Sequence, residues 1–209
     1  SIAWSDLSVD DRAFVRKITA YATIAKLVAI VSHLAIVVGV IAIGYRHFDN
    51  VKMGIGAATL YLMLPYTSQM TGRVDHVLPA AFLVWAILCY RRPLTSGFFV
   101  GFAVGVVYYP LFLLPLWFSF YWQRGLMRFA VGVVSMLTLM VVILAFASPD
   151  LASFWHCFKE MFGLMPPQME GLSGVWDLGW AAIYRWPVLA AFVALSGSLA
   201  IWPAEKNLG

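Results

Sequence analysis

Between residues 53 and 122 the chain carries four apolar runs, 53–66, 77–90, 98–109 and 110–122, each too short to cross a bilayer and separated by compact polar or Pro-bearing breaks. The first run, 14 residues long, reaches only ~21 Å at about 1.5 Å per residue, against a hydrocarbon core of ~30 Å. Shortened helices are tolerated at membrane depth only where protein or a water-filled cavity covers their free backbone ends. The segment is therefore expected to wrap a pocket rather than face lipid throughout.

The solvent follows from composition. The chain is 62% hydrophobic, 11% charged and 16% aromatic, with a mean hydropathy of +0.84, whereas soluble domains carry roughly 25% charged residues. The expected fold class is all-α, a polytopic transmembrane helical protein with several short or broken helices. Residues 27–44 and 129–147 hold 18 and 19 residues without a charge, enough for spanning helices, and residues 187–202 give a shorter third. A single membrane domain over 1–209 is expected. It comprises an interfacial helix at 1–19, transmembrane helices and half-helices over 20–147, an outer interfacial helix and loop over 148–186, and a transmembrane helix over 187–202. The first residue is Ser1, and no charged segment with a short apolar core opens the chain, so a processed or partial polypeptide is expected.

Charge placement gives a topology. If residues 98–122 form two half-helices hinged at Tyr108-Tyr109-Pro110, then Arg46, Lys52, Arg91, Arg92, Arg124, Arg128 and Lys206 share one side with only Asp49 and Glu205 against them. The excess of basic residues in short loops marks that side as cytoplasmic. It also accounts for the net charge of +4, so no nucleic-acid partner is expected. The localisation that follows is an integral, multi-pass protein of the bacterial inner (cytoplasmic) membrane.

The same hinge brings the polar loop 67–76 and the tyrosines to the opposite, non-cytoplasmic face, where they are expected to share a cavity. Arg73 offers a permanent guanidinium suited to phosphate or carboxylate, Asp75 a base, and His76 a group titrating near neutrality. Gln69, Tyr108 and Tyr109 add neutral hydrogen bonds. The competing account is structural: Asp75 caps a helix beginning near residue 77, Arg73 pairs with it, and His76 sits at headgroup level. Gly97, Gly101 and Gly105 place three missing side chains on one helix face. That face suits close helix packing or, in the pocket reading, the tail of a polyprenyl lipid.

Ser148-Pro149-Asp150 reads as a helix start, with Ser148 as N-cap and Pro149 at the first helical position. Leu151, Phe154, Trp155, Phe158, Met161 and Phe162 follow at helical spacing, opposed by Lys159 and Glu160, so 150–162 is expected to lie in the interface plane. Lys26 and His33 fall roughly on one helical face, Lys26 snorkelling to the interface and His33 bonded to a neighbouring helix. Cys89 and Cys157 are expected at opposite membrane faces, without a disulfide. No zinc spacing, P-loop, dinucleotide fingerprint or nucleophile elbow occurs, so neither metal nor cofactor is expected. Haem or chlorophyll ligation through His33 or His76 stays open.

The run 72–79 (GRVDHVLP), then 90–93 (YRRP), the glycines at 97 to 105 and 107–115 (VYYPLFLLP) resemble the central region of the GT-C membrane glycosyltransferases. The resemblance is to the polyprenol-phosphate-mannose-dependent mannosyltransferases and the uncharacterised families grouped with them, over roughly residues 53–125. It implies a multi-span fold whose active site faces away from the cytoplasm and takes a sugar from a lipid phosphate carrier. Where relatives often carry Lys three residues before the hinge Pro, this chain has Val107. The Asp that relatives place in the first outer loop would lie upstream of Ser1.

Glycosyl transfer from a lipid phosphate needs a carboxylate to activate the acceptor hydroxyl and cationic or hydrogen-bonding groups to stabilise the departing phosphate. Asp75 suits the base, and Arg73, His76, Gln69, Tyr108 and Tyr109 suit substrate binding. The implied partners are a lipid-linked sugar donor, membrane lipids and other membrane subunits. Two other classes remain in view: a non-catalytic structural subunit of a larger membrane complex, and a lipid or solute transporter.

Overall fold

A computed structural model describes residues 9–65, 67, 74–164 and 184–202. Among the described residues all regular structure is helical, and two helices, Phe14–Phe48 and Leu126–Ala147, are long and apolar enough to cross a membrane. The chain divides into two compact units, Ser1–Val84 and Trp85–Gly209.

In the first unit α1 (Val9–Phe48) is one helix of 40 residues, ~60 Å long and so about twice the hydrocarbon core. The expected division near residue 20 has no counterpart in the backbone, because neither Gly nor Pro occurs between residues 9 and 38 to interrupt it. Its hydroxyls are satisfied internally, Thr23 and Ser32 each donating to the carbonyl four residues earlier, at 2.8 and 2.7 Å. Asp49, at φ 50°, turns the chain through the left-handed region, and Asn50 caps α2 (Val51–Met63) by accepting from the Met53 amide at 3.0 Å. A Cβ at Gly44 would stand 2.6 Å from Gly54 Cα, so α1 and α2 touch backbone to backbone beside this turn. The start of α3 (Val74–Leu88) joins them: Ile36, Val77 and Ala81 form a buried cluster with Tyr61 and Val84 packed on it.

In the second unit α4 (Pro93–Val106) stops where the sequence demands. Pro110 has no N–H for the Val106 carbonyl, and its ring would clash there. Val107 is accordingly extended (φ −147°, ψ 146°), and a 3-10 helix, η1 (Tyr109–Leu113), leads into α5 (Leu114–Tyr121). No continuous helix spans 98–122, and the break opens one residue before the expected hinge. Left-handed Gly125 (φ 103°) then starts α6 (Leu126–Ala147).

Helices α4 and α6 make the closest pair, and they run parallel. A Cβ at Gly97 would fall 2.2 Å from the Phe129 oxygen, one at Gly101 2.7 Å from the Val133 oxygen, and one at Gly132 2.3 Å from the Leu94 oxygen. The glycine face is thus filled by α6, so of its two expected uses close helix packing is the one present and the groove for a polyprenyl tail is not. On the other side Tyr121 stacks on Phe129 at 4.7 Å, with Trp117 stacked beside both. The last helix, α8 (Arg185–Ile201), is tied to η1 by the Ser196 hydroxyl, which donates to the Phe112 carbonyl at 2.5 Å, and to α5 by the Ser119 hydroxyl, which donates to the Ala200 carbonyl.

Ser148 does not cap the following helix. Its hydroxyl and amide both return to the Leu144 carbonyl, at 2.7 and 3.0 Å, and close α6. The N-cap of α7 (Leu151–Met161) is Asp150, which accepts from the Ser153 amide at 3.1 Å. No side chain of α7 is buried. Gly163 (φ 65°) ends it, with the Leu164 amide reaching back to the Lys159 carbonyl at 2.8 Å. The sequence beyond, including Pro166 and Pro167, lies outside the described residues.

Candidate functional site

Asp75 and His76 belong to the first turn of α3 rather than to a preceding loop, so the expected helix start near residue 77 moves back to Val74. The first turn is a favourable place for a carboxylate, because the unpaired amides there carry the positive end of the helix dipole. The Asp75 Oδ2 lies 3.4 Å from His76 Nε2, and the two side chains are 51% and 40% exposed. The next turn carries Val77, buried against Ile36 of α1, which fixes the rotational setting of α3. An open carboxylate beside an imidazole is suited to accepting a proton from a hydroxyl held over the turn.

Arg73 and Gln69 lie outside the described residues. Tyr108 and Tyr109 belong to the second unit, at the break between α4 and η1. Tyr108 is exposed, packs edge-on to Phe112 at 6.3 Å and lies against Gly163. Tyr109 opens the 3-10 turn and is half-buried. Within each unit the structure therefore brings Asp75 to His76 and Tyr108 to the end of α7.

One polar contact carries a partner that the sequence does not name. His33 Nδ1 lies 2.7 Å from the Tyr61 hydroxyl, linking α1 to α2 with the rings 5.9 Å apart. The expected bond from His33 to a neighbouring helix is present, but Tyr61 sits in an apolar run and gives no sign of the pairing. His33 Nε2 is buried without a hydrogen-bond partner. Cys89 and Cys157 are free thiols. Among the described residues no three His, Cys, Asp or Glu side chains gather closely enough to hold a metal ion.

No protein-family model, curated protein or solved structure matches the chain.

Proposed function

We propose that the chain is a membrane glycosyltransferase of the GT-C type, or part of one, moving a sugar from a polyprenyl-phosphate carrier to an acceptor hydroxyl on the non-cytoplasmic face. The observation that supports this reading is the Asp75–His76 pair, a carboxylate and an imidazole 3.4 Å apart and both open to solvent at the start of α3. Asp75 accepts the proton of the acceptor hydroxyl as the oxygen bonds to the sugar carbon. The bond from that carbon to the carrier phosphate breaks, and the phosphate leaves as an anion. His76 orients the carboxylate, and Arg73 meets the phosphate. The spanning lengths of α1 and α6, with short helices between them, support a multi-pass placement, and the basic short loops support the bacterial inner membrane with those loops in the cytoplasm.

The test is transfer of sugar from a synthetic polyprenyl-phosphate donor by the full chain in lipid nanodiscs. Asp75→Asn is expected to lower the rate by ~100-fold or more with the melting temperature retained. Absence of transfer by the native protein across hexose donors overturns the reading.

A second reading, a non-catalytic structural subunit, is favoured by the closure of the glycine face. The surface that would have held a lipid tail is occupied by Phe129 and Val133 of α6. Under that reading Asp75→Asn leaves every activity of the assembly unchanged, whereas substitutions on the α4–α6 seam disrupt it.

A further inference from the structure

Between His76 and Pro149 the sequence contains no Asp or Glu and four basic residues, Arg91, Arg92, Arg124 and Arg128. The fold of the second unit gathers all four at one end. The turn 89–92 and the turn 122–125 are bound together: the Tyr121 hydroxyl donates to the Tyr90 carbonyl at 2.6 Å, and the Tyr90 and Phe120 rings meet edge-on at 6.0 Å. A Cβ at Gly125 would touch Pro93 Cγ at 3.4 Å. The Arg91 guanidinium lies 5.7 Å from the Tyr90 ring centre and Arg124 5.2 Å from that of Phe120. Arg92 and Arg128 flank them, and all four Arg side chains are exposed. Because α4 and α6 are parallel, their N-terminal ends, which carry positive partial charge, adjoin the same patch.

Depth identifies the occupant. Helix α6, a candidate span, begins at Leu126 between Arg124 and Arg128, and Trp122, 72% exposed, sits just outside it. Arg at the end of a span with an exposed Trp beside it stands at the level of lipid phosphates. We infer that Arg91, Arg92, Arg124 and Arg128, with Tyr90 and Trp122, form a binding site for the phosphate headgroups of anionic phospholipids in the leaflet where α6 begins. The four positive charges attract the phosphate oxygens, and the Tyr90 and Phe120 rings hold Arg91 and Arg124 in place. The site is independent of the proposed transferase chemistry.

The full chain, in neutral-detergent micelles with equal amounts of phosphatidylglycerol and phosphatidylcholine, is passed over a sizing column, and the retained lipid is quantified by mass spectrometry. Phosphatidylglycerol is expected to be enriched. Replacing all four Arg by Gln is expected to lower the enrichment by at least the factor of about five that loss of ~1 kcal/mol, a single basic residue's share, implies. Replacing Arg46 and Lys52 by Gln should leave it intact. Replacing the four Arg by Lys, which keeps the charge, should preserve most of it and guards against a misfolded Gln variant. Equal retention of both lipids, full enrichment in the Gln variant, or loss in the Lys variant or the Arg46/Lys52 control overturns the proposal. So does displacement of the lipid by millimolar glycerol 3-phosphate, which would mark a site for soluble anions.

Discussion

The root of the Tyr108 side chain lies against Gly163: a Cβ at Gly163 would stand 2.8 Å from Tyr108 Cγ and 3.1 Å from its Cβ. The residue at which α4 breaks is thereby locked to the residue at which α7 ends. Helix α7 is held at its C-terminal end by this contact and by Met161, whose Cε would touch a Cβ at Gly105 at 3.4 Å.

Gly163→Ala should therefore cost about 2–3 kcal/mol, part from placing a Cβ in the left-handed region and part from the clash with the ring. Adding Tyr108→Ala should relieve the contacts to the ring and leave the backbone part and the 3.1 Å approach of the Cβ, so the two substitutions couple. Chemical denaturation of the single and double variants in micelles checks this. Additive losses would mean that the ring and the glycine do not share one space.

The α4–α6 seam makes a graded prediction. Gly97→Ala, with its Cβ 2.2 Å from a carbonyl oxygen, should lose about 3 kcal/mol despite the gain in helix propensity. Gly105→Ala should lose less, because the nearest atom is Cγ of the flexible Met140 side chain. Gly56→Ala, with nothing within 4 Å, should be neutral or gain up to ~1 kcal/mol. Unfolding midpoints that fail to rank in this order would refute backbone-to-backbone contact as the basis of the seam.

Much of the helix layout is legible because its signals are local. Pro110 forbids the helix that Val106 would continue, and the four-residue spacing from Gly97 to Gly105 marks a contact face before the partner is known. The partner is a tertiary fact: nothing in the spacing says that α6, rather than a lipid tail, fills that face. The cap of α7, expected at Ser148, is Asp150 for a similar reason. Ser148 and Asp150 both have capping side chains, and the choice fell to Asp150 because Ser148 is drawn back to the Leu144 carbonyl by the end of α6. Asp75 and His76 read as the end of a polar loop, yet α3 begins upstream of them at Val74 and carries Pro79 inside it. The Arg73 part of the site rests on sequence alone.

The bond between His33 Nδ1 and the Tyr61 hydroxyl should be worth roughly 0.6–2 kcal/mol, the range for interhelical polar contacts in bilayers. Tyr61→Phe is expected to lose about that much, since it strands a second nitrogen on an imidazole whose Nε2 already lacks a partner. The double variant His33→Leu/Tyr61→Phe removes both polar ends and should sit closer to the native protein than the two single losses sum to. A coupling energy near zero in that cycle would show the contact to be incidental.

The hold on Asp150 makes α7 sensitive to acid. The hydrogen bonds from the Ser153 side chain and backbone amide favour the ionised carboxylate and hold its pKa below the ordinary value of 3.8. A group with a lowered native pKa stabilises the fold fully above its unfolded pKa and loses that contribution as pH falls through the native value. The first turn of α7 should accordingly stay intact at neutral pH and fray progressively from about pH 4 downward. Carbon-13 titration of the Asp150 carboxyl, with Trp155 fluorescence reporting on the helix, measures both ends of this linkage. Asp150→Asn keeps a capping oxygen but cannot ionise, so its Trp155 signal should be flat over the same interval. A native titration at or above 3.8, or an Asn variant that frays with the same pH profile, would show that the cap does not control the turn.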